Sequence, residues 1–380
     1  MQNKLTNYIF LLFCGFTLLT SCTNTDDPTI TPIQFAEVEY QGVYELIIGD
    51  TLKITPEILN LPEGASFEWS KNDESIATTQ SLNYVPQIAE NFTLKFKVTA
   101  SNTIERSYQI KLIDPYALYF RSKTETSTEF ITKIMEYKPA PGQFINAGFG
   151  TPEYAEKIIG NKTNTLSLGA WGGYVIFSFD HTIENRVDQK DFVVYGNAFK
   201  GLSEPGIVQV SFDENGNGLA DDTWYELAGS NYFKERTILN YETTYVNPEE
   251  YANVLWTDNK GSADNVTVNT YHKQNYFPLF IAEKKEVKFK GTRVFPIVNP
   301  GSYVTIDALE WGYVDNYDAE YSTYGGNAME IDWAVNIQSK SVKLKGIDFV
   351  KIYTGAQYNA GWLGELSTEV KGASDLSMVK

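Results

Sequence analysis

The chain is predicted to be all-β, a small immunoglobulin-like sandwich followed by a larger sandwich of jelly-roll type, and three observations predict it. Short runs alternate apolar and polar residues: Leu94, Phe96 and Val98 face one way, Lys95, Lys97 and Thr99 the other, the period of a strand with one wet face. The composition holds 25 Tyr, 22 Phe and 7 Trp, rings that suit a pleated, half-buried surface. Helix signals are scarce.

The first 21 residues carry Lys4, an apolar stretch from Tyr8 to Leu19 and small residues before Cys22, which reads as a signal peptide that is removed rather than a membrane span. Cys22 then becomes the first residue and the expected site of lipidation, an anchor that holds the chain at a membrane without crossing it. Residues 22–34 are polar and contain Pro28 and Pro32, as suits an extended tether.

Between 35 and 113 the runs Val43–Ile48, Thr51–Thr55, Phe67–Ser70, Leu82–Val85, Thr93–Ala100 and Ser107–Ile113 are expected strands, separated by turn formers such as Gly49-Asp50 and Pro62-Glu63-Gly64. Short strands at this spacing with Trp69 set early carry the signature of an immunoglobulin-like sandwich, in which Trp69 is core.

Asp114-Pro115 marks a boundary, and a second β-sandwich, the ligand-binding domain, is expected over 115–380. One helix is predicted from Thr151 as N-cap, with Pro152 in the first turn and Gly160 as the stop, and a second from Pro248, capped by Asn247. The remaining expected elements are strands: Tyr174–Phe179, Phe192–Tyr195, Ile207–Phe212, Thr223–Ala228, Val287–Phe289, Tyr303–Ile306, Leu309–Val314, Met329–Val335 and Phe349–Tyr353. Many strands with barely two helical turns argue for two packed sheets. No repeat of propeller length is visible.

Charge and residue types exclude several functions. The net charge is −17, and loss of residues 1–21 removes one lysine and no acid; such a field repels nucleic acid. Beyond Cys22 there is no cysteine, hence no disulfide, thiol nucleophile or thiolate ligand in the mature chain. His181 and His272 are the only histidines and lie far apart, so zinc spacing is missing. His181 ends an apolar strand and is expected to be structural. Gly201-Leu202-Ser203-Glu204-Pro205 departs from a nucleophile elbow at its last position. A catalytic role is not expected.

The sharpest motif is Asp213-Glu214-Asn215-Gly216-Asn217-Gly218-Leu219-Ala220-Asp221-Asp222. Oxygen side chains at alternate positions let a loop wrap a hard cation, so Asp213, Asn215, Asn217, Asp221 and the Leu219 carbonyl are expected structural calcium ligands. Trp224 stands where an EF-hand has its bidentate Glu, leaving Asp222 or Glu226 to complete the shell; the same letters also suit a solvated hairpin turn. Two aromatic clusters offer either ligand contacts or packing: Tyr313, Tyr317, Tyr321 and Tyr324 among acids and glycines, which equally suit a flap packed on its own sheet, and Trp362 between Gly361 and Gly364, which also suits buried closure of the sandwich. His272 and Tyr276 share a polar, aromatic loop.

Leu19-Thr20-Ser21-Cys22 resembles the lipobox of bacterial lipoproteins, and Asp26-Asp27 resembles the surface-export signal of Bacteroidetes lipoproteins. The N-terminal domain resembles PKD-like modules, without their acidic-glycine motif. Over roughly 165 to 370, the runs Ser167–Tyr174, Phe179–Ile183, Asp191–Phe199, Trp224–Ser230, Ile331–Val335 and Phe349–Leu366 resemble a family of Bacteroidetes PKD-like cell-surface lipoproteins that includes cobamide-binding (BtuH-like) members. That resemblance implies a protein anchored by lipid in the outer membrane, binding cobalamin as ligand and delivering it to an outer-membrane transporter complex. The contacts expected for such a macrocycle are Trp171, His272, Tyr276, Tyr313, Tyr317, Tyr321, Tyr324 and Trp362. A calcium-containing carbohydrate-binding lipoprotein of a glycan-uptake system is the alternative, and a purely adhesive surface protein a third.

Overall fold

The computed structural model describes residues 31–37, 43–48, 51–86, 90–301 and 303–379, with the side chain of Trp362 outside that description. Signal peptide, Cys22 and most of the tether therefore lie outside the described residues. The regular structure of the chain is nearly all β, 41% strand against 6% helix, and the chain divides into two compact units, Met1–Leu112 and Ile113–Lys380.

In the first unit, strands Val43–Ile47, Thr103–Ile113, Phe92–Thr99, Ser66–Lys71 and Glu74–Ala77 lie in that order in one sheet, the last four antiparallel to one another. Two small pairs, Leu52–Ile54 with Leu82–Tyr84 and Gln34–Phe35 with Ile58–Leu59, supply the other inward-facing residues. Strict alternation does the sorting: Phe92, Leu94, Phe96 and Val98 are buried while their neighbours face out. Trp69 is fully buried, stacks on Phe96 at 4.4 Å and donates from Nε1 to the Thr79 carbonyl at 3.0 Å. It is core, as expected.

The second unit is a β-sandwich. Its large sheet runs Lys133–Lys138, Tyr174–Glu184, Gly346–Thr354, Gly206–Ser211, Tyr225–Leu227, Ala334–Val335. Apart from the hairpin Gly206–Ser211 with Tyr225–Leu227, neighbours are not consecutive in the chain, the crossed connectivity of a jelly-roll-type fold rather than a meander. Val175, Phe177, Phe179, Val208, Val210, Val350 and Ile352 from this sheet pack on Phe192, Val194, Met329 and Ala373 of the three-stranded sheet Asn327–Met329, Phe192–Tyr195, Gly372–Asp375. The central strands are buried on both faces, which is why they read as continuous apolar runs. A separate four-stranded sheet, Ala263–Val266, Val254–Asp258, Ile238–Val246, Glu286–Arg293, encloses an aromatic core of Trp171, Tyr241, Tyr245, Tyr276, Phe277 and Phe289.

Three expectations need correction. No helix follows Pro248, because the Asn247 side chain takes the Glu249 N–H in a tight turn and Glu249 sits at φ 63°. Asp114-Pro115 does lie beside the division between the units, and it also starts a short helix: Asp114 accepts from Tyr116 N at 3.0 Å and caps the helix Pro115–Tyr119. Leu309–Val314 is not a strand; Gly312 at φ 84° bends it so that Leu309 and Tyr313 plug a small core. Met329–Val335 is broken by the 3-10 turn Ile331–Trp333. The helix after Thr151 is present but short, Pro152–Glu156.

Removing the Trp69 ring empties the middle of the first unit. Trp69→Ala is expected to cost that unit about 3–5 kcal/mol, read by urea denaturation followed with far-UV circular dichroism; an unchanged profile would contradict the packing described.

Candidate functional site

One end of the second unit gathers acids that the spacing of the sequence does not advertise. Glu204 lies in the turn leading into the strand Gly206–Ser211, Asp315 follows the bridge between Gly206 and Val314, and Glu369 opens the two-residue strand paired with Leu166–Ser167. Carboxylate oxygens of these three come within 4.8 Å of one another. Asp315 and Glu369 are buried, Glu204 partly exposed.

Backbone donors hold them in place. Asp315 Oδ1 accepts from the N–H groups of Asn197 and Ala198, each at 2.8 Å, and Oδ2 from Glu369 N at 2.9 Å. Glu204 Oε1 accepts from Ser367 N at 3.2 Å, while the Glu204 carbonyl accepts from the Thr368 hydroxyl. A fourth acid, Glu365, accepts from Gln143 N at 2.8 Å through Oε1. That approach requires glycine at 142, where a Cβ would stand 2.6 Å from the same carboxylate oxygen. Oε2 of Glu365 and Oε1 of Glu369 are buried without a hydrogen-bond partner.

Glu204, Glu365 and Glu369, with Asp315 buried behind them, meet a cavity of about 210 Å³ whose lining includes Gln143, Phe144, Phe149, Asn197, Glu204, Glu365, Ser367 and Glu369. Phe144 and Phe149 stand half-buried at 4.3 Å, and His272 meets the Phe144 ring edge-on at 4.8 Å. Glu365 also lines a second cavity of about 260 Å³, with Trp256, Asn265, Arg293, Gln357, Tyr358 and Asn359. The hairpin from Asn359 to Glu365, carrying the turn Gly361–Leu363, forms the ridge between them.

Burial makes charge costly here. It pushes Glu204 up to about 8, helped by the charge of Asp315 and opposed by Ser367 N–H. Burial lifts Asp315 to about 7 against three backbone donors, and Glu365 to about 7 against Gln143 N–H. Glu369 rises as well, by burial and then by the fields of Glu204 and Asp315. A larger cavity of about 280 Å³ beside Glu226 differs in kind, because Glu226 already accepts from the Tyr353 hydroxyl and from Gln209.

Of the expected contacts, Trp171, Tyr276 and Tyr313 are corrected to core. Trp171 is fully buried and donates to the Thr292 carbonyl; the Tyr276 and Tyr313 hydroxyls accept from the backbone N–H of Asn269 and Asn231. A ring with a polar tip that finds a backbone partner is a good core plug. His272 is half-buried at the cavity edge behind Phe144. Trp362 lies on the ridge by its backbone, its side chain outside the described residues. Tyr317 and Tyr321 are half-buried with rings 5.2 Å apart, beside Asp315, whose charge adds to the burial that lifts Tyr321 to about 12. Tyr324 ends the helix Tyr321–Tyr324 and, like those two, does not line the cavity.

The Asp213 loop closes on itself. Asp213 accepts from Asn217 N and Gly218 N, Asn215 and Asn217 turn their amide nitrogens to Asp222 and Asp221, and Asn217 Oδ1 accepts from Leu219 N. Gly216 and Gly218 take φ of 68° and 72°, the left-handed conformation such wrapping needs. Asp222 Oδ2 is buried without a partner, and burial with the charges of Asp213 and Asp221 pushes Asp222 up to about 6. The oxygens of Asp213, Asp221 and Asp222 do not gather into one group, and the amide nitrogens of Asn215 and Asn217 face Asp222 and Asp221. Glu226 is occupied by the Tyr353 hydroxyl and Gln209. His181, as expected, is structural: it is buried between Asp180 and Asp375, whose hydrogen bonds outweigh desolvation and raise its pKa.

The sequence signal for the acidic site was the alternation Glu365-Leu366-Ser367-Thr368-Glu369, which puts two acids and a hydroxyl on one side of an extended segment. It passes unnoticed because none of the usual catalytic spacings contains it.

No protein-family model matches the sequence, and no curated protein matches it. Among solved structures, the chain is similar to a SusE-like protein, at 10% identity over 90% of this chain and 96% of that one, with a TM-score of 0.25. A quinonprotein alcohol dehydrogenase-like protein from Bacteroides thetaiotaomicron gives 11% identity, 81% and 63% coverage and a TM-score of 0.20. A carbohydrate-binding module of the β-sandwich superfamily gives 6%, 86%, 98% and 0.19. Likenesses this distant assign neither ligand nor activity.

A carboxyl group that keeps its proton longer folded than unfolded contributes stability that is full below its unfolded pKa and lost as pH rises through its folded one. With Glu204, Asp315 and Glu365 raised from 4.5 or 3.8 to about 7–8, that window spans the weakly acidic to neutral range. In chelator, the melting temperature of the second unit is expected to be higher near about pH 5.5 than near about pH 8.5, and Glu365→Gln should flatten part of the slope. A melting temperature that rises across this window would contradict the electrostatics.

Proposed function

We propose that the chain is a non-catalytic capture protein, tethered by lipid at Cys22 to the outer face of the outer membrane, that binds a small molecule rich in hydrogen-bond donors and hands it to an outer-membrane transporter. One observation carries the binding reading: the unpartnered, buried Oε2 of Glu365 in the wall of an aromatic-edged cavity on a rigid β-sandwich. Acceptors held there are best satisfied by N–H or O–H groups that a ligand brings.

A corrinoid is the ligand the family resemblance implies, and its fringe of primary amides suits an acceptor-rich floor. A cavity of about 210 Å³ takes one such arm, with the macrocycle lying over the ridge and the neighbouring cavity. A glycan is the second reading, favoured by the Phe144 and Phe149 rings beside carboxylates, which pair sugar faces with sugar hydroxyls. Binding rather than catalysis is supported by the way the acids are tied: Asp315 spends both oxygens on backbone donors, and Glu204 and Glu365 one each. No helix among the described residues is long and apolar enough to cross a membrane. The Asp213 loop is assigned a structural calcium ion, held by Asp213, Asn215, Asn217, Asp221, Asp222 and the Leu219 carbonyl, which would neutralise the loop and fix the hairpin tip.

Titration of the mature chain from residue 23 with cyanocobalamin and, separately, with a glycan panel is the deciding measurement. Binding of the corrinoid alone supports the first reading, glycan binding alone the second, and silence on both overturns capture through this cavity. Phe149→Ala and Glu365→Gln are each expected to weaken the productive ligand about tenfold, about 1.4 kcal/mol, with the fold intact by circular dichroism. For the loop, terbium luminescence sensitised by Trp224 should appear in the parent and vanish in Asp221→Asn.

A further inference from the structure

Three carboxylates that share a volume only a few ångströms across, with the neighbourhood dry, need either protons or a cation. Among the described residues no lysine or arginine forms an ion pair with Glu204, Asp315 or Glu369. The charge of Lys371 acts on Asp315 only from a distance. Two further observations point inward. Glu369, 3% exposed, leaves Oε1 without a partner; Glu365, 4% exposed and outside the trio, leaves Oε2 without one while lining the same cavity. The backbone donors present are aimed at both oxygens of Asp315, at one of Glu204 and at one of Glu365, and the Glu204 and Glu369 carboxyl groups meet each other directly, leaving Glu369 Oε1 over.

We propose that Glu204, Asp315 and Glu369 hold one divalent cation at the floor of this cavity. The donor set fixes its class: only carboxylate oxygens, with no histidine or cysteine, select a hard ion. Two of the acids are longer side chains anchored at one oxygen or none, which suits the larger and more tolerant shell of calcium over the strict octahedron of magnesium. Glu204 is the partly exposed member and Glu365 the neighbour across the cavity, so the shell is completed from the open side by Glu365 through water or by an oxygen of whatever the cavity binds. This site is separate from the Asp213 loop in sequence and in position, and it stands whichever ligand the cavity takes.

The test is calcium titration by calorimetry into chelator-stripped mature chain, comparing the parent, Asp213→Asn and the double variant Glu204→Gln/Glu369→Gln. The expected result is an equivalent of calcium that persists in Asp213→Asn and disappears in the double variant, together with a calcium-induced rise in melting temperature that the double variant loses. Unchanged stoichiometry in the double variant overturns the proposal, as does failure of Asp213→Asn to take up calcium or manganese at millimolar concentration. In the latter case shared protons neutralise the acids, and Glu369→Gln then raises the melting temperature in chelator and in calcium alike. Should the double variant not fold, anomalous diffraction from manganese-soaked crystals of the parent decides the matter: a peak among the three carboxylates supports the site and a blank map removes it.

Discussion

The second unit depends on buried aspartates that accept backbone N–H groups from segments far apart in the chain. Asp315 joins the segments at 197–198 and 369; Asp191 accepts from Arg186 N and Ile331 N; Asp348 accepts from Asp213 N while meeting Arg121 and the Thr182 hydroxyl. All three are fully buried. A sandwich built from crossed connections ends its strands in turns whose N–H groups have no ladder partner, and leaving such donors dry is costly. Short acidic side chains close that deficit, and they set the irregular ends of the sheets as firmly as the ladders set the middle. The arrangement explains how an acidic chain can bury so many acids.

How legible the molecule was in its sequence follows from which residue types carried each pattern. The strands Tyr174–Glu184, Phe192–Tyr195, Gly206–Ser211 and Gly346–Thr354 announced themselves because both faces are apolar. Ile238–Val246 did not, although Tyr241, Thr243 and Tyr245 point inward with period two, because tyrosine and threonine look amphipathic to any hydropathy reading. The same ambiguity misplaced Trp171, Tyr276 and Tyr313: a ring with a hydrogen-bonding tip is equally apt for a binding surface and for a core with a stray backbone donor. Only the three-dimensional partner settles which.

The acidic site was hidden for a different reason. Glu204, Asp315, Glu365 and Glu369 come from three separate segments, and their convergence is produced by the crossed strand order, which no local spacing encodes. The Asp213 loop is the opposite case, a site written in ten consecutive letters. What the two have in common is a carboxylate oxygen buried without a donor, in a chain otherwise thorough in satisfying its polar groups.

The double placement of Glu365 has a consequence for how this end of the molecule responds. Its carboxylate is a wall common to two cavities, and one of its oxygens is uncommitted. Occupants of the two chambers that both drew on that oxygen would compete for it, each then lowering the affinity of the other by the same factor. A molecule large enough to straddle the hairpin escapes that rivalry, since it meets the shared group once, and the partition thus discriminates by reach as well as by chemistry.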